Sequence, residues 1–127
     1  MEIYTSYFAK LNKIKDAGYF PISIARYTPK NIEICELKIF APSKEILGKI
    51  KKGEIDEVEY ERMYREEMTN RYDFNLVLEG LERISEINDK RDLVLLCYEK
   101  SGDFCHRHIF ASIMGEKTGK TIKELDI

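Results

Sequence analysis

Asp92-Leu93-Val94-Leu95-Leu96-Cys97-Tyr98 is the stretch that decides the fold. Its Leu-Val-Leu-Leu-Cys run has none of the polar alternation of a strand with one wet face, so it reads as a strand covered on both faces. Such a strand belongs in the middle of a parallel sheet, and parallel neighbours need crossover connections. The flanking sequence supplies them. Upstream, Asp73 to about Asn88 sets Phe74, Val77, Leu78, Leu81 and Ile84 on one helical face, and Asp56 to Met68 does the same with Tyr60, Met63, Tyr64 and Met68. Before these, Pro42-Ser43 opens a helix with Ser43 as N-cap and Ile46, Leu47 and Ile50 on one face, stopped by Gly53. Downstream, a helix starting near Cys105 buries Ile109, Phe110, Ile113 and Met114, and a last strand lies within Thr121 to Ile127.

The N-terminal third continues the alternation. Ile3 to Thr5 is β-prone, Tyr7 to Ala17 is helical through Phe8, Leu11 and Ile14, and Phe20 to Ala25 is a second strand. Tyr27 to Asn31 is a loop, and Ile34 to Phe40 alternates Cys35, Leu37 and Ile39 against Glu36 and Lys38 as a half-buried strand does. Strands separated by helices imply an α/β fold, a single-domain three-layer sandwich over residues 1–127 with a largely parallel central sheet.

Composition narrows the function classes. The 127 residues are 43% apolar and 35% charged with a net charge of −2, which fits one globular domain and excludes a disordered chain and a basic nucleic-acid binder as whole-molecule descriptions. No apolar run approaches the ~18 residues of a membrane span. The opening Met1-Glu2-Ile3-Tyr4 has no basic or long apolar segment of the kind a secretory leader shows, so the expected compartment is the cytoplasm and no membrane partner is expected. Three cysteines do not make a disulfide scaffold in a chain of this size.

In open parallel sheets ligands bind beyond the carboxyl ends of the strands. Three loops are expected to meet there: Thr5-Ser6-Tyr7, Arg26-Tyr27-Thr28 and the segment from Tyr98 to Arg107. The last is the most informative, because Cys97 to His108 holds two of the three cysteines and both histidines, with Ser101-Gly102 as a flexible pair. Cys105-His106-Arg107 falls on the first turn of a helix, where unpaired N–H groups and the helix dipole favour anions and thiolates. Cys105 is therefore a candidate nucleophile, His106 a proton shuttle, Glu99 a general base or a ligand for a hydroxyl or amine, and Arg107 a bidentate anion holder.

Plainer readings compete. Cys35 and Cys97 read as core, Cys105 has a structural alternative, Arg107 an ion pair with a surface acid, and His108 a solvent or structural place. A metal held by Cys97, Cys105 and His106 is set aside, because adjacent Cys and His on one helical turn converge poorly and no fourth ligand is apparent. Lys44, Lys49, Lys51 and Lys52 read as a solvated face, with phosphate contact as the alternative, and the acids between Glu57 and Glu67 read as a solvated face. Tyr60 and Tyr64, four apart, read as core, with a ligand-facing surface as the alternative. There is no Walker loop and no dinucleotide fingerprint.

Leu95-Leu96-Cys97-Tyr98-Glu99-Lys100 followed by Cys105-His106-Arg107 resembles the motif pair of the domain-of-unknown-function 488 family: an apolar strand ending in Cys-x-Glu, a short loop, then Cys-His-Arg opening a helix. Ile3-Tyr4-Thr5-Ser6-Tyr7 is similar to its first strand and Tyr-Thr turn, and Ile22-Ser23-Ile24-Ala25-Arg26 with Pro29 to its second strand. Where many members carry an acid in an Asp-Val-Arg triplet this chain has Ile24, so no acid role transfers there. Its compactness resembles a short subgroup of the kind met in bacteria and phages. The resemblance implies an α/β fold and a shared site of Tyr4, Thr5, Arg26, Cys97, Glu99, Cys105, His106 and Arg107; it supplies no reaction.

Together these readings give catalytic candidates Glu99, Cys105 and His106, and ligand-binding candidates Tyr4, Thr5, Ser6, Arg26, Cys97 and Arg107. The expected partner is a small anionic ligand of the nucleotide or nucleic-acid-fragment class, hydrolysed or cleaved at a glycosidic bond, with no cofactor and no metal. A sensor or sequestering protein with the same pocket is the alternative, a protein-interaction module using the charged helices the second, and a redox-sensing Cys97–Cys105 pair a distant further one.

Overall fold

The computed structural model describes residues 1–99 and 104–127. Five strands run as β1 (Ile3–Tyr7), β2 (Phe20–Ser23), β3 (Cys35–Glu36), β4 (Leu93–Cys97) and β5 (Lys123–Glu124). They pair in the order β3-β2-β4-β1-β5, and every pairing is parallel. The apolar run is β4, fully buried along its length between β2 and β1. Its side chains alternate between two cores. Leu93 and Leu95 join Ile3 and Ile22 on one face, while Val94 and Leu96 join Leu11, Ile14 and Leu125 on the other.

Five α-helices cover the sheet: α1 (Leu11–Asp16), α2 (Lys44–Lys51), α3 (Glu57–Arg71), α4 (Phe74–Glu86) and α5 (His106–Thr118). Only α1 packs on the face of Val94 and Leu96; residues of α2 to α5 pack on the other, giving the three layers. This follows from right-handed crossovers. The β1–β2 connection and the β4–β5 connection run across the sheet in opposite directions, so their helices fall on opposite faces. The caps are local: Ser43 Oγ accepts from Ile46 N at 3.3 Å, and Asp56 Oδ1 from Glu59 N at 2.9 Å. α5 ends on Gly119 in the left-handed conformation, φ 78°, which a side chain would disfavour. Among the described residues no helix is long and apolar enough to cross a membrane.

Three local expectations change. Residues Ile34 to Phe40 form only the two-residue β3, followed by a 3-10 turn over Lys38–Phe40. The alternation there reflects partial burial at a sheet edge: Ile39 is 54% exposed, and Cys35, expected in the core, is half-buried at its margin. The first helix begins as a 3-10 turn, Phe8–Lys10, before α1. The Ser101-Gly102 pair lies outside the described residues.

The packing gives a contrast to measure. Leu95→Ala removes a fully buried side chain from the central strand and should lower unfolding stability by about 2–5 kcal/mol. Leu76→Ala, at a position 62% exposed, should change it by less than about 0.5 kcal/mol. Urea denaturation followed by circular dichroism reads both, and equal losses would contradict this core.

Candidate functional site

β2 and β4 are neighbours whose chains leave in different directions. From β2 the chain moves outward to β3, and from β4 it passes over β1 to β5. Diverging connections leave a crevice at the carboxyl ends of the two strands. A cavity of about 520 Å³ lies there. Ala25, Arg26 and Tyr27 line it from the end of β2, Cys97, Tyr98 and Glu99 from the end of β4, and Phe104, Cys105 and His106 from the start of α5. Pro42, Lys44, Leu47, Gly48, Ile50 and Lys51 close it from α2 and its lead-in, and Tyr60 from α3.

The sequence candidates divide into two groups. Glu99, Cys105, His106, Arg26 and Cys97 line the cavity together. Tyr4, Thr5, Ser6 and Arg107 do not. Tyr4 points to the α1 face and meets Tyr19 edge-on at 5.8 Å between centroids. Thr5 Oγ1 donates to Glu124 Oε1 at 2.6 Å, and Ser6 is buried with no partner for its hydroxyl among the described residues. Two of the three expected loops line the cavity, while Thr5-Ser6-Tyr7 lies beside them, with Tyr7 paired to Cys97 and its ring facing Arg107.

Arg107 is wholly buried. Its Nε and Nη2 donate to the two carboxylate oxygens of Glu124 at 3.1 and 2.8 Å. Its Nη1 donates to Glu99 O at 2.7 Å and to Cys97 Sγ at 3.1 Å, and the guanidinium lies 5.9 Å from the Tyr7 ring centroid. These contacts take up the fork expected for a ligand anion; within the chain it grips β5 and the end of β4 instead.

His106 is 7% exposed, and its Nε2 lies 2.7 Å from Ile24 O. A carbonyl only accepts, so Nε2 carries the proton and Nδ1 keeps a lone pair. That Nδ1 lies 3.9 Å from Cys105 Sγ. Burial lowers the imidazole pKa to about 4, against the opposing pull of the Ile24 carbonyl, so the ring is neutral near pH 7. Burial first, then the charge of Glu99, holds the Tyr60 hydroxyl well above its usual range, as a neutral donor. Cys97 and Cys105 are 1% and 4% exposed, and their sulfurs meet as a disulfide with the Cα atoms 7.3 Å apart. Cys105 is the N-cap of α5 in extended conformation, so its side chain turns to the cavity.

Several lining residues were singled out only through a secondary reading. Tyr60, read as core with a ligand-facing alternative, is both buried and part of the wall; Lys44 and Lys51, read as a solvated face with phosphate contact as the alternative, reach its rim. Lys49 behaves as read, pairing with Glu45 at 3.3 Å. The available signal was helical phase: Lys44, Leu47, Gly48 and Lys51 share the α2 face that looks toward the cavity. Tyr98 and Phe104 lie within the Tyr98 to Arg107 segment expected at the site, though neither was singled out. His108, expected in a solvent or structural place, is partly buried beside Thr5 and Glu124 in a second hollow.

Two measurements check this geometry. Between about pH 5 and 8 the His106 ring should hold the single tautomer protonated at Nε2, read from its ring nitrogens by NMR; a doubly protonated ring at pH 6 would contradict the burial. Arg107→Met removes a wholly buried guanidinium together with its bonds to Glu124 and Glu99 O and should cost about 3 kcal/mol of unfolding stability. A loss below about 0.5 kcal/mol would contradict its place in the structure.

The family model described as DUF488-N3a, active DUF488-N3 subclade, matches residues 7–118. No match was found among curated proteins or among solved structures. The matched span runs from the end of β1 to the end of α5 and so contains both walls of the cavity and the Cys97-x-Glu99 and Cys105-His106-Arg107 motifs. With a match of that extent, the chain belongs to the DUF488 family.

Proposed function

We propose that the cavity between β2 and β4 binds a nucleotide or a nucleic-acid component and cleaves it at a phosphate ester or glycosidic bond. The observation that carries this reading is the combination of lining groups. Arg26, Lys44 and Lys51 bring positive charge to a cavity walled by Tyr27, Tyr60, Tyr98 and Phe104, with Glu99 as its one acid among the described residues. Aromatic walls suit a base, at about 1–3 kcal/mol for a stacked ring, and cations suit its phosphate. The volume, about 520 Å³, is that of an ordinary small-molecule site.

Arg26 strengthens the reading. Its Nε is buried and has no hydrogen-bond partner among the described residues. A buried guanidinium N–H without an acceptor is costly, and a bound anion would supply one. The amino end of α5 opens beside it and adds the partial positive charge of its free N–H groups. Glu99 would then act on the sugar or base as a general base or as a ligand for a hydroxyl.

The test is calorimetric titration with nucleoside mono- and diphosphates, followed by an assay of product release. The unmodified chain should bind one of them, Arg26→Ala should weaken that binding about tenfold, ~1.4 kcal/mol, and Glu99→Gln should keep the ligand while losing turnover. If Glu99→Gln changes neither binding nor rate, the carboxylate has no part in the function. Binding without turnover by the unmodified chain would favour the sequestering alternative.

A further inference from the structure

Cys97 Sγ, Cys105 Sγ and a ring nitrogen of His106 lie within 4.8 Å of one another, with Nδ1 3.9 Å from Cys105 Sγ, all three residues buried and all on the cavity wall. We propose that in the reduced protein these three atoms hold a zinc ion whose fourth position opens into the cavity. The proposal stands apart from the ligand read for the cavity above and needs only the three side chains.

Four observations support it. The donor set is two thiols and an imidazole, which zinc favours. The imidazole is already oriented: Nε2–H is spent on Ile24 O at 2.7 Å, leaving the Nδ1 lone pair toward the sulfurs. A backbone carbonyl behind the far ring nitrogen is the usual support of a metal-bound histidine. Zinc–sulfur bonds of about 2.3 Å and zinc–nitrogen bonds of about 2.0 Å put tetrahedral neighbours roughly 3.5–3.8 Å apart, close to the 3.9 Å between Cys105 Sγ and His106 Nδ1. The Arg107 guanidinium donates to Cys97 Sγ at 3.1 Å, so a positive charge stands beside one of the two sulfurs.

The cysteine backbones fit the same picture. Their Cα atoms stand 7.3 Å apart, beyond the roughly 4.4–6.8 Å that disulfides usually span. The spacing leaves the sulfurs room to part around an ion. From the disulfide, a dithiol reductant supplies two electrons and two protons and is itself oxidised to its disulfide. Zinc then displaces both thiol protons as it binds. No fourth protein donor joins the group among the described residues. Three protein ligands with an open position are the arrangement of zinc sites that bind water or substrate. The adjacency of Cys105 and His106, which argues against convergence on a regular helix, is resolved by the extended backbone of Cys105 just before the helix starts.

The experiment uses the whole chain purified under a phosphine reductant. Elemental analysis should find about one zinc per chain. Replacement by cobalt(II) should give thiolate charge-transfer and tetrahedral ligand-field bands. Zinc should shield Cys97 and Cys105 from alkylation, and a chelator should remove that shielding while leaving the rate at Cys35 unchanged; burial alone would not respond to the chelator. Cys105→Ser and His106→Ala should lose the stoichiometric metal, and Cys35→Ser should keep it. The proposal is overturned if the folded, fully reduced chain takes up neither ion at micromolar concentration. It is equally overturned if a Cys97–Cys105 disulfide survives the reductant, or if chelation leaves alkylation unchanged.

Discussion

The buried guanidinium of Arg107 is the point on which the functional end of the molecule depends. Burying such a charge is expensive unless each face of it is answered. Here Glu124 answers it from β5, Cys97 and the Glu99 carbonyl from the end of β4, and the Tyr7 ring from the end of β1. Because Arg107 sits in the first turn of α5, fixing its direction fixes the rotation of the whole helix. Residues along a helix differ by about 100°, and Cys105 is still extended, so anchoring Arg107 toward β5 leaves Cys105 and His106 to face the cavity.

That division explains how one short Cys-His-Arg motif contributes to two regions. Toward β1 and β5 it builds a polar lock, in which Thr5 also donates to Glu124. Toward β2 it presents the Cys105 sulfur, joined to Cys97, and a neutral imidazole tied to Ile24 O. The cavity exists because β2 and β4 send their connections different ways, and the long excursion from β3 to β4 brings α2 and Tyr60 of α3 across its mouth. The charged faces of α3, by contrast, are largely self-satisfied: Arg62 pairs with Glu59 and Glu66, and Arg65 with Glu61 and Glu116. They offer less unmet charge to a partner than the cavity does.

The sheet was legible because doubly buried strands carry an unbroken apolar run, and β4 carries one. The helix starts were legible at Ser43, Asp56 and Asp73, whose side chains accept from the first turn as their types suggest. β3 was not, since a two-residue edge strand and a 3-10 turn generate the same alternation as a longer half-buried strand. At the site, the residues contiguous with the motif were readable: Glu99, Cys105 and His106 line one cavity. For Arg107 an ion pair was the alternative reading, but its partner could not be named, because Glu124 lies 17 positions away on a strand of two residues and only the register of β5 against β1 brings it back. For Tyr60, Lys44 and Lys51 the cavity-facing place was only the second reading, because which face of α2 and α3 meets the strand ends is decided by tertiary packing.

We propose that ligand recognition centres on the cavity at the ends of β2 and β4. Backbone amide shifts of the isotopically labelled protein, followed by NMR as a nucleoside monophosphate is added, test it most directly. The account predicts perturbations grouped at residues 25–27, 44–51, 97–99 and 104–106, with the exposed face of α3 silent. Perturbations centred on α3, or on the hollow beside His108 and Glu124, would contradict it.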